Sequence, residues 1–391
     1  MFRLRLWFLL ALVPLVGAHS LMAVTVAVGS CKPKLTSYPD ISTAVGSVPP
    51  GSTIQVCPGV YPEQVTISQP LTLQGIASDG QDQVVISLPA TPLTANVTSI
   101  MGQPVAAQIL VQSPGVNITN ITVDGTGGDQ QCATTSIGLA GIFYASGSSG
   151  EVEQVRASGQ IDQQCGVGIW AENAGSPNRS VNIHDSSVHD VDLTGIFAGS
   201  GLPPTLAVTI RNNVVSAPLA MEGVFVQNVT GVIAHNIVND AQGGILNFAA
   251  GVRASNNTVS DAFLGIVLSG GPADSNDVAN SILGIYLDAD GSAVESNRIT
   301  LAQAIAVEFN CHSATVSHNQ INDTMFGLDQ VPSGFRGSNT FANTGTISVD
   351  GCAAPPLLAG AARVQSLAAT PKGIPSPREW RSPANPFGAR Q

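Results

Sequence analysis

The 391-residue sequence predicts an all-β fold, a right-handed parallel β-helix of about ten or eleven coils with a short N-terminal capping helix. Three observations favour this fold. Charged residues make up only 10% of the chain, whereas an average domain has about 25%. A short apolar motif recurs along the chain, and a recurrent asparagine runs in phase with its later copies.

The recurrent motif is a small residue followed by apolar residues, and its copies are 19 to 28 residues apart. It begins at Gly141, Gly168, Gly195, Gly223, Gly244, Gly265, Gly284, Ala304 and Gly327. A repeat this short cannot bury its own apolar face, whereas stacked copies can, which predicts a solenoid. Apolar residues alternate with a period of two, as at Ile285 and Leu287, which indicates strands rather than helices.

The asparagine series predicts a ladder of side chains inside the solenoid. It comprises Asn213, Asn236, Asn257, Asn276, Asn297, Asn319 and Asn339. Stacked coils bring equivalent residues to within ~4.8 Å, so each amide can bond to its neighbours above and below. The recurrent glycine predicts either a permissive turn or a close approach of two segments. A leucine-rich repeat needs regular leucines, and a propeller needs ~40-residue blades, so neither alternative fits.

The N-terminus resembles a secretory signal. Arg3 and Arg5 precede an apolar stretch at 6–16, and small residues suitable for cleavage follow at Ala18 and Ala23. The stretch is shorter than the ~20 residues of a spanning helix, so we expect a secreted or periplasmic protein that is not membrane-bound after cleavage. The predicted segments are a signal peptide at 1–23, an N-terminal cap at 24–53, the β-helix at 54–352 and a proline-rich flexible tail at 353–391.

A short helix is predicted to close the first coil. Ile41, Ala44, Val45 and Val48 form an apolar helical stripe, and Asp40 is placed to cap its N-terminus. Such a helix would cover strand edges that could otherwise pair with other chains.

Six cysteines in an exported chain predict disulfide bonds. The expected pairs are Cys31 with Cys57, Cys132 with Cys165, and Cys311 with Cys352. The third pair joins positions two coils, or ~9.6 Å, apart, so it requires the last coil to depart from regular stacking.

The repeats from about 117 to 350, Asn-x-Ile followed by Gly-Ile-x-Leu, resemble those of the pectin-lyase-like superfamily, in particular its NosD-like and generic right-handed β-helix groups. The opening at 38–67 is also similar to that of pectin methylesterases. The resemblance implies the fold but leaves the activity open, because the superfamily includes lyases, hydrolases, esterases, epimerases, binding proteins and adhesins. Of the pectin methylesterase motifs only Gly59-Val-Tyr61-Pro-Glu63 is present, and polygalacturonase-like motifs are absent.

Candidate site residues lie in the strand that follows each glycine. Its second and fourth residues are expected to face solvent, which would place aromatic rings beside carboxylates, as in sugar-binding faces. The expected substrate-binding residues are Trp170, Glu172 and Tyr286, and the expected catalytic residues are Asp288, Glu308 and Asp329. Asp288 and Glu308 are expected on successive coils, as a carboxylate pair of the glycosidase kind.

These features predict a secreted β-helix protein that binds polysaccharide and cleaves it as a lyase or glycoside hydrolase. The alternative is a non-catalytic extracellular or periplasmic binding or scaffold protein. Nucleic acid is not an expected partner, because the net charge is −11 with 15 basic residues. No cofactor is required, although Asp288-Ala-Asp290-Gly291 resembles the start of a calcium loop and makes Ca²⁺ an optional ligand. A NosD-like role in metal insertion is disfavoured because clusters of methionine and histidine are missing.

Overall fold

The computed structural model describes residues 22–77, 83–91, 93–128, 132–333 and 335–352. The predicted tail at 353–391 lies outside this range, as do all but the last two residues of the predicted signal peptide. Within the described residues the predicted fold is confirmed: nearly all of the regular secondary structure is strand, and the long sheets are parallel. No helix in this part of the chain has the length and apolarity needed to cross a membrane.

Each coil contributes one strand to a 13-stranded sheet, here called sheet 1, in which every pair of neighbours is parallel. From Ser52–Val56 onward it contains eleven strands, which agrees with the predicted ten or eleven coils. Its strands, in spatial order, are Ser37–Tyr38, Thr25–Val28, Ser52–Val56, Leu71–Gly75, Val116–Thr119, Gly150–Glu153, Arg179–His184, Leu206–Arg211, Thr230–Ala234, Gly251–Ser255, Pro272–Asp274, Ser292–Glu295 and Ala314–Ser317.

A second, 23-stranded sheet supplies the other two sides of each coil as two rows. The short row consists of Gly59–Pro62, Val84–Ser87, Thr122–Asp124, Arg156–Ser158, Ser187–His189, Val214–Ser216, Ile237–Asn239, Thr258–Ser260, Asp277–Ala279 and Arg298–Thr300. The long row consists of Val65–Ile67, Pro104–Val111, Gly138–Tyr144, Gly166–Asn173, Thr194–Ser200, Glu222–Gln227, Gly243–Phe248, Leu264–Ser269, Leu283–Ala289 and Ile305–Glu308. Both rows join in the strands Gln320–Val331 and Thr340–Asp350. The remaining strand, Val97–Thr98, pairs antiparallel with the strand that follows it.

The interior of the solenoid is apolar because each side of a coil turns alternate residues inward. In one coil these are Ile183 from sheet 1, Val188 from the short row and Ile196 from the long row, all at most 1% exposed. Together with their equivalents they form one continuous core along the axis.

The recurrent glycine marks a close approach rather than a turn. A Cβ atom on Gly265 would lie 2.4 Å from the carbonyl oxygen of Gly284 on the next coil and 2.6 Å from a methyl of Val278 in the short row. A side chain at this inner corner would therefore collide with both neighbours.

The predicted asparagine ladder is confirmed. The backbone and side-chain N–H groups of each asparagine donate to the Oδ1 atom of the next, from Asn213 to Asn339. Asn297 Oδ1 accepts both donors of Asn276 at 2.9 Å, and Asn297 Nδ2 donates to Asn319 at 2.9 Å and to the Ala273 carbonyl at 3.0 Å. Asn297 is 1% exposed, so the ladder satisfies polar groups that water does not reach.

The predicted helix closes the first coil at Ile41–Ser47, and its Ile41, Ala44 and Val45 side chains are buried. Asp40 accepts a hydrogen bond from the Thr43 N–H at 2.6 Å, as expected of an N-cap. A second helix, Cys132–Thr135, lies in a loop before the long-row strand Gly138–Tyr144.

The residues Glu63 and Tyr61, from the motif that resembles pectin methylesterases, stabilise this capping region. The Glu63 carboxylate accepts the N–H groups of Ile41 and Ser42 at 2.9 and 2.8 Å, where the helix dipole favours negative charge. The Tyr61 hydroxyl donates to the Cys57 carbonyl at 2.7 Å. These contacts give both motif residues a structural role.

Two of the three predicted disulfides are present: Cys31–Cys57 and Cys132–Cys165. The third is not formed: Cys311 and Cys352 both carry free thiols in this structure. A coil lies between them, and both sulfur atoms contact its residue Gln330.

We expect Asn297→Leu to lower the free energy of unfolding by about 1–3 kcal/mol, because it leaves buried donors of Asn276 without their acceptor. Equilibrium unfolding in urea measures the change. Asn182→Leu is the matched control, since Asn182 lies on the outer side of sheet 1 and is only partly buried. Equal effects at both positions would contradict a stabilising ladder.

Candidate functional site

The outer side of the long row carries one continuous column of side chains. Parallel pairing places Phe143, Trp170, Phe197, Phe225, Leu246, Val267, Tyr286, Glu308 and Asp329 directly opposite one another on successive coils. This set is called the outer column below. It contains four of the six predicted site residues. Glu172 lies two residues further along its strand, opposite Gly199, and Asp288 lies at a bulge where the register shifts between Leu287 and Ala289.

The expected exposure of the aromatic residues is wrong. Trp170 is 1% exposed and Tyr286 5%. The rings pack on each other along the column, with centroids 4.9 Å apart for Phe143 and Trp170 and 5.2 Å apart for Trp170 and Phe197. Val97 and Met101, from the loop before Pro104–Val111, pack against the same cluster. The alternation of residues along each strand points these aromatic side chains out of the solenoid, but they are buried by the rings on neighbouring coils and by this loop.

Glu172 fastens that loop to the column. Its carboxyl accepts the Ile100 N–H at 2.9 Å and the Trp170 Nε1–H at 3.1 Å. Burial raises the pKa of Glu172 to about 8, and the two hydrogen bonds oppose the shift only in part. In this structure Glu172 therefore holds the loop, and its carboxyl is not presented to solvent as predicted.

The C-terminal end of the outer column is acidic. Tyr286, Glu308 and Asp329 lie on three successive coils, and Glu308 and Asp329 are 3% and 1% exposed. Burial raises the pKa of the Tyr286 phenol, and the charges of Asp288 and Glu308 raise it further. The Tyr286 hydroxyl therefore keeps its proton at neutral pH and can donate a hydrogen bond.

The predicted pairing of Asp288 with Glu308 is wrong. Val307 aligns with Ile285, which puts Glu308 opposite Tyr286 and leaves Asp288 outside the column. Asp288 is exposed and accepts a hydrogen bond from the Ser269 hydroxyl at 2.7 Å. The carboxylates on facing strands are Glu308 and Asp329, and facing strands lie ~4.8 Å apart.

The calcium-like segment stabilises a turn. Asp290 accepts the backbone N–H and the hydroxyl of Ser313 at 2.7 and 2.9 Å. The described ranges contain no group of three or more histidine, cysteine, aspartate or glutamate side chains arranged to hold a metal ion.

Two polar clusters were missed by sequence reasoning. Burial raises the pKa of Glu222 to about 7, although its carboxyl accepts the Thr194 hydroxyl at 2.6 Å. The His184 imidazole lies 2.7 Å from Glu151 and 2.6 Å from Asp185. Burial lowers the pKa of His184, but hydrogen bonds to these two carboxylates outweigh that effect and raise it. In the sequence, the one signal that points to Glu222 is its position directly before Gly223, the first residue of a copy of the recurrent motif.

Glu172 makes stability depend on pH. Its folded pKa of about 8 lies above the ordinary value of 4.5, so between these values the folded protein holds a proton that the unfolded chain has released. Stability should therefore fall as the pH rises from about 5 to about 8. We expect Glu172→Gln to flatten this slope in urea unfolding, with Glu222 responsible for part of what remains. Glu295→Gln, at an exposed position of sheet 1, should leave the slope unchanged, and an unchanged slope in Glu172→Gln would refute the assignment.

A family model agrees with the fold. Residues 166–352 match the family model described as "Right handed beta helix region". No curated protein matches the chain in sequence.

Three solved structures illustrate the similarity. The A-module of the mannuronan C-5 epimerase AlgE6 from Azotobacter vinelandii is 18% identical with a TM-score of 0.48, over 79% of this chain and 93% of that one. An alginate lyase from a Paenibacillus species is 12% identical with a TM-score of 0.39, over 84% and 98% of the two chains. An exopolygalacturonase from Thermotoga maritima is 12% identical with a TM-score of 0.38, over 75% and 81%. The family match and the parallel pairing of successive coils identify this chain as a right-handed parallel β-helix.

Proposed function

We propose that this protein binds polysaccharide on the outer side of the long row and cleaves it at the C-terminal end of the outer column. The observation that carries the proposal is the register that places Glu308 opposite Asp329, with Tyr286 on the preceding coil. Asp288 lies at the exposed rim of this cluster.

Two facing carboxyl groups suit general acid–base chemistry. Strands ~4.8 Å apart match the ~5–5.5 Å between the carboxyl groups of retaining glycosidases. Two carboxylates this close repel each other, and holding one proton between them relieves the repulsion. One group can then protonate the leaving sugar oxygen while the other, ionised, attacks the sugar or activates water. The Tyr286 hydroxyl can donate a hydrogen bond to the same region.

The charge of the protein favours a neutral polysaccharide as the substrate. The chain carries a net charge of −11, and the cluster adds Asp288 at its rim to the two facing carboxyl groups. An anionic polymer would be repelled unless a cation such as Ca²⁺ bridged the contact. Since Glu308 and Asp329 are largely enclosed, the substrate would approach from the exposed side of Asp288.

A location outside the cytoplasm fits the proposal. Disulfides persist in oxidising compartments, and the structure contains two of them. We propose a secreted or periplasmic protein, as the N-terminal sequence predicts.

A non-catalytic binding or scaffold protein is the second candidate. The burial of Trp170 and Tyr286 favours it, because rings packed in a column do not offer their faces to sugars. Binding without cleavage would identify this function.

The test is a screen of the purified protein against plant, algal and bacterial polysaccharides, with and without calcium, reading new reducing ends and unsaturated products. Glu308→Gln and Asp329→Asn should each lower turnover 10²-fold or more on the substrate found, because each removes one group of the pair. Glu295→Gln is the control, since it removes the same charge on sheet 1, and it should keep full activity. Full activity in both site variants would refute the site, and unsaturated products would indicate a lyase.

A further inference from the structure

The free thiols of Cys311 and Cys352 converge at the end of the solenoid. Cys311 Sγ lies 3.8 Å from the side-chain oxygen of Gln330, and Cys352 Sγ lies 3.5 Å from the Gln330 carbonyl oxygen. Cys352 is also one of the groups that raise the pKa of Cys311, which makes the two thiols neighbours. Residues from three successive coils thus meet at one point.

The backbone pairing between the strands Gln320–Val331 and Thr340–Asp350 is irregular between the two cysteines. Asp329 pairs with Val349, but Asp350 pairs with Val331, so Gln330 bulges out of the register. Gln330 has a φ of 52°, and Cys311 has a φ of 63°, both in the left-handed region. In regular stacking, equivalent residues two coils apart are ~9.6 Å from each other, which is too far for a disulfide, and the bulge at Gln330 interrupts that regularity.

The two thiols differ in reactivity. Burial, the interaction with Cys352 and the charges of Glu308 and Asp329 together raise the pKa of Cys311 to about 11. Cys311 is therefore a protonated thiol at neutral pH and a poor first nucleophile. Cys352 is exposed and can be reached by a reagent in solution.

We propose that Cys311 and Cys352 form a reversible redox pair whose disulfide ties the C-terminal strand to the coil that carries Glu308. This proposal stands apart from the proposed function, because it requires only an oxidant of the low-molecular-weight disulfide class. The resulting bond would fasten the last coil at Thr340–Asp350, which among the described residues pairs with the single strand Gln320–Val331.

The reaction balances with glutathione disulfide as the oxidant. The Cys352 thiolate attacks one sulfur of glutathione disulfide, forming a mixed disulfide and releasing one glutathione thiolate. Cys311 then gives up its proton and attacks the Cys352 sulfur, which releases the second glutathione thiolate. The two protein thiols lose two protons and two electrons, and one glutathione disulfide is reduced to two glutathione molecules.

The experiment incubates the full chain in glutathione redox buffers, alkylates the remaining thiols and maps the peptides by mass spectrometry without reduction. We expect both thiols to disappear together, a Cys311–Cys352 peptide to form, and the melting temperature to rise by on the order of 5 °C. A reducing buffer should restore both thiols while Cys31–Cys57 and Cys132–Cys165 persist.

Single variants separate the two steps. In Cys311→Ser the Cys352 thiol should stop as a glutathione adduct, and in Cys352→Ser the Cys311 thiol should stay unmodified. Circular dichroism checks that both variants fold. A wild-type protein that keeps both thiols alkylatable in fully oxidising buffer, or that accumulates the glutathione adduct without forming the linked peptide, would overturn the proposal.

Discussion

Stacking of parallel strands ~4.8 Å apart is the constraint on which the rest of this structure depends. Once one coil lies on the next, every position is repeated at that spacing along the axis. A buried asparagine then finds an identical partner above and below, as Asn297 does. An inner corner leaves no room for a Cβ, as at Gly265. Any side chain turned outward becomes part of a column, so the chemistry of the outer surface is decided by register.

The fold could be predicted from the sequence because these constraints repeat with every coil, so the same residue types recur at regular intervals along the chain. The sequence also located the capping helix, through Asp40 and the apolar stripe, and two disulfides. The predicted position of Glu308 was wrong because the motif at Ala304 does not align with the motif at Gly284. The backbone pairing shifts it by two residues, so that Val307 and not Ile305 lies opposite Ile285. The predicted exposure of Trp170 and Tyr286 was wrong because alternation predicts which side of a strand a residue faces, not what later covers it.

The outer column changes character along the axis. Its first part is aromatic and closed by the loop that Glu172 fastens through Ile100. Its last part is acidic, with Glu308 and Asp329 on facing strands. The cysteine pair lies beside this acidic end, and the charges of Glu308 and Asp329 both raise the pKa of the Cys311 thiol. The acidic end of the outer column and the cysteine pair thus lie together where the regular stacking is interrupted at Gln330.

The register of the strands places Glu308 opposite Asp329, and a double-mutant cycle tests this placement most directly. The free energy of unfolding would be measured for Glu308→Gln, Asp329→Asn and the double variant, and compared with the same cycle for Glu308→Gln and Asp288→Asn. The structure predicts a coupling of about 0.5–3 kcal/mol for Glu308 with Asp329 and a smaller one for Glu308 with Asp288. A coupling for Asp288 equal to or larger than that for Asp329 would contradict the register and the site built on it.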